Sequence, residues 1–178
     1  MLGALRNLPS KMKIAMAHCS LTRNQSIQTI NFSGWPIPDE YLVEIGRVAA
    51  LWASLETFLN ICLGKLAGFD ELSDKRAFIL IAHSAFPQRL DSLGALCEEL
   101  QNEFPRLRDY KAVVSQLKNA QKIRNRFMHH SMSFNPDSGR FEMAMGSARG
   151  VLKTKEENVS IEDIKRAAVS INEAERAL

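Results

Sequence analysis

Between Asp39 and Leu66 apolar residues return at helical spacing, with Ile45, Trp52, Leu59, Leu63 and Leu66 on one face and no proline among them. A stripe of that length and period is helical, and it needs other helices to cover it. The rest of the chain offers them. Gly68 supplies a stop for the first helix. Ser73 suits the N-cap of a second, running through about Ser84. Pro87 restarts the chain into a third helix to about Phe104, and Pro105 fits the first turn of a fourth. Ser160 with Asp163 forms a capping-box pattern that opens a last helix to Leu178. Before it, residues 132–154 change character. The turn signal NPDSG separates the runs MSF and RFEMAM, and GVLKT adds a third extended piece. The expected fold is all-α, an up-and-down helical bundle with a small β-hairpin or meander before the C-terminal helix.

A length of 178 residues suits one domain with a buried core, and 46% hydrophobic with 24% charged residues is globular rather than disordered composition. The expected domain spans residues 37–178. Residues 1–36 carry no sustained period and end in the turn-rich NFSGWPIP, so they read as a poorly ordered N-terminal extension. Its apolar runs are short and broken by charge, which argues against a secretory signal. No run reaches the roughly 18 apolar residues of a membrane span. Cys19, Cys62 and Cys97 are odd in number and show no paired spacing. They fit reduced thiols in a cytoplasmic protein, with Cys62 and Cys97 packed as small apolar residues.

The net charge of +3 is unevenly spread. Arg106, Arg108, Lys111, Lys118, Lys122, Arg124 and Arg126 face a single acid, Asp109, within one stretch. Such a stripe attracts phosphate backbone, although a solvated helix face is the commoner cause. The same stretch ends in KIRNRFMHH, residues 122–130. On a helical wheel Tyr110, Val113, Val114, Leu117, Ala120 and Met128 form an apolar stripe, with Arg124 near its centre. Asn125 and His129, four apart, share its flank. Arg126, His130 and Lys122 fall on the solvent side, so His130 reads as a solvated residue near the helix end. A guanidinium on a core-facing stripe needs a partner. Glu56, the acid embedded in the first helix's stripe, offers one: the two meet across the bundle or line one polar pocket. A buried ion pair that only fixes helix register is the bland alternative. Adjacent histidines diverge on a helix and no Cys or second His cluster accompanies them, so no metal site is expected. Arg89 in PQRLD reads as a surface residue before an auxiliary phosphate contact, and Trp52 as core rather than a base-stacking platform.

R-N-x-x-x-H near the end of a long helix, here Arg124, Asn125 and His129, resembles the signature of HEPN domains. The first helix with ASLETFLN, the segment FPQRLDSL and the short extended excursion before one more helix resemble that family too, over roughly residues 39–178. The resemblance implies a helical bundle that forms a homodimer, bringing two motifs into one cleft. In active members it implies metal-independent endoribonuclease chemistry with no cofactor, in toxin or defence proteins often paired with a nucleotidyltransferase-type antitoxin. Other members act only as modules that bind RNA or a protein partner. Arg124, Asn125 and His129 are then the catalytic candidates, Glu56 and His130 supporting groups, and Lys122, Arg126 and Arg89 candidate RNA contacts.

Overall fold

The computed structural model describes residues 37–69, 74–147 and 153–178. The expected N-terminal extension and the Ser73 cap lie outside the described residues. The first helix, α1 (Asp39–Leu66), has the boundaries its apolar period predicts. Its buried stripe is Val48, Trp52, Leu55, Leu59 and Leu63, so Ile45 and Leu66 lie at the edges and are only partly buried. Its most buried acid is Glu44, 8% exposed and gripped by both carboxylate oxygens against Arg47 at 2.9 and 2.7 Å. The short α2 (Lys75–Ile81) is capped by Asp74, whose carboxylate accepts the Arg76 N–H at 2.8 Å. It ends before the expected Ser84. Helix α3 (Phe86–Leu100) carries Pro87 in its first turn, where a missing N–H leaves no bond unmade, and Gln88 Oε1 accepts the Ala85 N–H at 2.8 Å. It also ends early, before Phe104.

Pro105 opens a 3-10 turn, Pro105–Asp109, and the fourth α-helix, α4 (Tyr110–Met128), starts only after it. The basic run from Arg106 to Arg126 is therefore divided between a turn and a helix. Three antiparallel strands follow, β1 (Ser131–Asn135), β2 (Arg140–Ser147) and β3 (Lys153–Asn158), in the order β1-β2-β3. Gly139, at φ 64°, takes the left-handed position of the NPDSG turn. Of the expected extended piece GVLKT, Lys153 and Thr154 lie in β3, and residues 150–152 lie outside the described residues. The last helix is α5 (Ile161–Arg176). The described residues thus form a mostly helical fold of five α-helices with a small three-stranded antiparallel sheet before the final helix.

The long helices do not simply alternate. Trp52 meets Phe86 and Arg89 reaches Glu56 and Asn60, so α1 and α3 run the same way. Ser54 donates to Glu175 and Lys165 lies in the field of Glu44, which sets α5 parallel to α1 as well. Arg124 lies over Trp52 whereas Tyr110 reaches Glu98, so α4 runs against all three. The short α2 is the return from α1 to α3. It approaches closely because Gly64 faces Ala77; a Cβ there would stand 3.2 Å from the alanine methyl. The sheet is the return from α4 to α5. Its inner face buries Phe141 and Met143, Tyr41 at the start of α1 stacks on Phe141 at 4.3 Å, and Val159 donates to the Phe141 carbonyl at 2.8 Å. One end of the bundle, where α4 finishes, is thereby closed by β-structure.

The α5 cap matches the sequence pattern. Ser160 Oγ accepts the Asp163 N–H at 3.1 Å, and Asp163 accepts the Ser160 N–H at 2.9 Å and its hydroxyl at 2.7 Å. The Ser160 hydroxyl and N–H, followed by Arg166, hold the Asp163 carboxyl below its ordinary range. The cap's contribution is therefore full above the unfolded carboxylate's range and is lost as pH falls through the lowered folded value. Ser160→Ala should cost about 1 kcal/mol in urea unfolding at neutral pH, with the deficit shrinking as the pH is lowered into the acid range. A deficit independent of pH would contradict the reciprocal cap.

Candidate active site at the end of the fourth helix

Leu117, Ala120 and Phe127 are the buried residues of α4. Arg124 falls among them at helical spacing, seven after Leu117 and three before Phe127, so the backbone aims a guanidinium where an apolar side chain would ordinarily go. Among the described residues no carboxylate forms an ion pair with it. Its guanidinium carbon lies 5.5 Å from the ring centroid of Trp52, over the indole face, an attraction of about 0.5–2 kcal/mol depending on desolvation. Glu56 sits on the neighbouring flank of α1, the flank that faces α3, and is taken by Arg89 at 2.5 Å. The expected Glu56–Arg124 partnership is thus replaced by Glu56–Arg89 and Arg124–Trp52. A wheel for α1 cannot say which of its flanks α3 and α4 occupy.

Arg89 is correspondingly not a surface residue. Its side chain is 13% exposed, donates to Asn60 Oδ1 at 2.9 Å as well as to Glu56, and lies over Phe86 at 5.6 Å. Phe86 in turn packs on Trp52 at 4.6 Å. Arg124, Trp52, Phe86 and Arg89 therefore form one continuous stack of cation, ring, ring and cation, bridging α4, α1 and α3. Trp52 is core, 5% exposed, as its place in the stripe implies. Arg124 and Arg89 each bury an Nε with no hydrogen-bond partner, and so does Arg126. All three guanidiniums lie against aromatic rings, Arg126 over Phe127 at 5.3 Å. The ring contacts and the bonds made by the Nη atoms offset that desolvation.

At the end of α4 the signature closes on itself. Arg124 Nη1 donates to Asn125 Oδ1 at 3.0 Å and contacts His129 Nε2 at 2.6 Å. Arg124, Asn125 and His129 are thus brought together, with the arginine as the bridge between the other two. The helix stops at Met128, so His129 is its C-cap, its N–H on the Asn125 carbonyl at 3.2 Å. His129 is exposed, while His130 is half-buried rather than solvated, and among the described residues its side chain makes no hydrogen bond to Arg124, Asn125 or His129. Met128 is also exposed, and Phe127 takes the core position instead. The reason is geometric. Helix α3 begins at Phe86, level with Trp52, so the flank of α4 beyond that point has no α3 beside it. Phe127 instead joins the buried cluster shared with α5 and lines one pocket with Ala167.

Lys122 is exposed, on the side of α4 that leads to Asn125. Arg126 is not on an open face: it bonds Glu157 of β3 at 2.6 Å and ties the sheet to the helix. Cys97 is buried and Cys62 half-buried, and burial pushes both thiols up from their ordinary range. No helix among the described residues is long and apolar enough to cross a membrane. No protein-family model, curated protein or solved structure matches the chain.

Proposed function

We propose that this protein is a metal-independent endoribonuclease of the HEPN type, acting as a homodimer. The observation that carries the reading is the single guanidinium, Arg124, joined to both Asn125 and an exposed His129. A fixed cation and an imidazole within one hydrogen bond of each other are what transesterification of RNA requires. The ribose 2′-oxygen forms a bond to the adjacent phosphorus as the bond from phosphorus to the 5′-oxygen breaks. The 2′-OH proton goes to a base, and the departing 5′-oxygen receives one from an acid, leaving a 2′,3′-cyclic phosphate and a 5′-OH. Imidazole exchanges protons near neutrality, so His129 suits either transfer. Arg124 offers paired donors and permanent charge to the crowded phosphorane. Asn125 holds one Nη1 hydrogen and so orients the arginine. In a two-fold dimer the second motif supplies the other proton-transfer group. Exposed Lys122, with Lys118 one turn before it, extends the positive surface along α4. Arg89 and Glu56 serve in support, through the ring stack, rather than as RNA contacts.

The second reading is a silent HEPN module that binds RNA or a protein. The exposed apolar side chains of α2, Ile79 at 71% and Leu80 at 70%, favour a protein contact of some kind. A toxin or defence role, with a nucleotidyltransferase-type antitoxin, belongs to the same proposal. Incubation with RNA and with DNA of the same sequence, in excess chelator, decides between the two readings. The nuclease cuts the RNA and leaves the DNA, which lacks the nucleophile. Retention of intact RNA would establish the silent module instead.

A further inference from the structure

The contact between Arg124 and His129 fixes the histidine's protons. A guanidinium has hydrogens to give and no lone pair to accept with. In the 2.6 Å contact the imidazole Nε2 is therefore the acceptor. His129 is then neutral, with its ring proton on Nδ1. The lone pair that Nε2 would use as a base is already occupied by Arg124. No acid competes for the ring: among the described residues His129 has no hydrogen bond or ion pair to a carboxylate. The charged groups on its own segment are Arg124, Arg126 and His130, and those on the elements packed against α4 include Glu56 on α1, Arg89 on α3, Glu157 on β3, and Asp163 with Arg166 on α5. Glu56 is held by Arg89, Glu157 by Arg126, and Asp163 by Arg166.

We propose that phosphate binding at Arg124 and protonation of His129 are a single coupled event. The inference rests on the reading of Arg124 as the group that grips an RNA phosphate. The Nε edge is buried, so a two-pronged grip on a phosphate must use Nη1 together with Nη2. Nη1 already has its two hydrogens engaged with Asn125 Oδ1 and His129 Nε2. An incoming phosphate draws one of them away. It also sets a negative charge beside the imidazole, which favours the cationic ring, as does the C-terminal end of α4. Arg124 thus acts as a latch: it keeps the imidazole unprotonated until an anion arrives, and the anion then takes up a proton with it.

The test is nitrogen-15 NMR of the imidazole rings in the full chain at pH 7, free and with an oligodeoxythymidine probe. That probe has phosphodiesters, does not titrate near neutrality and cannot be cut, and a His129→Gln sample assigns the signal. The free protein should show His129 protonated at Nδ1 alone. Saturating probe should protonate Nε2, approaching about one proton per bound site, and Arg124→Gln should abolish the free-state Nδ1 preference. A free ring carrying its proton on Nε2 overturns the proposal, as does probe bound without proton uptake. In both cases the cleavage assay still judges the nuclease reading separately. Failure of the probe to bind overturns the coupling together with the phosphate site it rests on.

Discussion

Replacing His129 with alanine should lower RNA cleavage by about 10²–10⁴-fold, the range that a positioned proton-transfer group contributes, while leaving the fold intact. The two halves of that expectation come from different observations. Under the proposed nuclease reading activity depends on the imidazole, whose Nε2 Arg124 contacts. Stability should depend on it little: His129 is an exposed C-cap, and exposed substitutions ordinarily stay within about 0.5 kcal/mol. Cleavage rate and urea midpoint measured on one preparation separate the effects. An unchanged rate would remove His129 from the chemistry. A large fall in stability would mean that the helix end was read wrongly.

Trp52→Ala should be the most damaging single substitution to the fold. Trp52 is 5% exposed and carries Phe86 on one side and Arg124 on another. Truncating a buried indole costs about 3–5 kcal/mol through lost transfer and the cavity left behind. A further cost arises here, because Arg124 would keep its buried, unpartnered Nε and lose the ring face that offsets it. Against a typical domain stability of about 5–15 kcal/mol, the variant should be marginal. Trp52→Phe keeps an aromatic face under the guanidinium and should recover more than half of the loss. Equal losses for the two variants in urea unfolding would show that the stack of Arg124, Trp52, Phe86 and Arg89 contributes nothing beyond volume.

Which parts of this arrangement could be read from the chain follows from the kind of information each needed. The α1 boundaries, the NPDSG turn, the first two extended runs and the Ser160–Asp163 cap depend on neighbours in sequence, and all appear in the fold. The R-N-x-x-x-H residues lie within six positions, so their meeting was legible too. Partners across helices were not. Glu56 was matched to Arg124 because both lie on apolar stripes, yet the rotation of α1 gives Glu56 to Arg89 and the Trp52 ring to Arg124. Arg89 looked like a surface residue because its burial depends on Phe86, Glu56 and Asn60 arriving from packing. Its one sequence signal was its place, three after Phe86 in the turn that opens α3. Met128 was placed in the core by period alone; Phe127 takes that position because α3 ends its cover level with Trp52. Arg126 looked solvated because its partner, Glu157, lies on a strand thirty-one residues away.

The most direct test of the account is the chemical form of the cut end. A defined RNA incubated with the wild-type protein in excess chelator should yield fragments whose mass corresponds to a 2′,3′-cyclic phosphate paired with a 5′-OH. The same RNA with Arg124→Gln should remain whole on that timescale. Fragments ending in a 5′-phosphate, or equal cleavage by the Arg124→Gln protein, would contradict the assignment of Arg124 and His129 to transesterification.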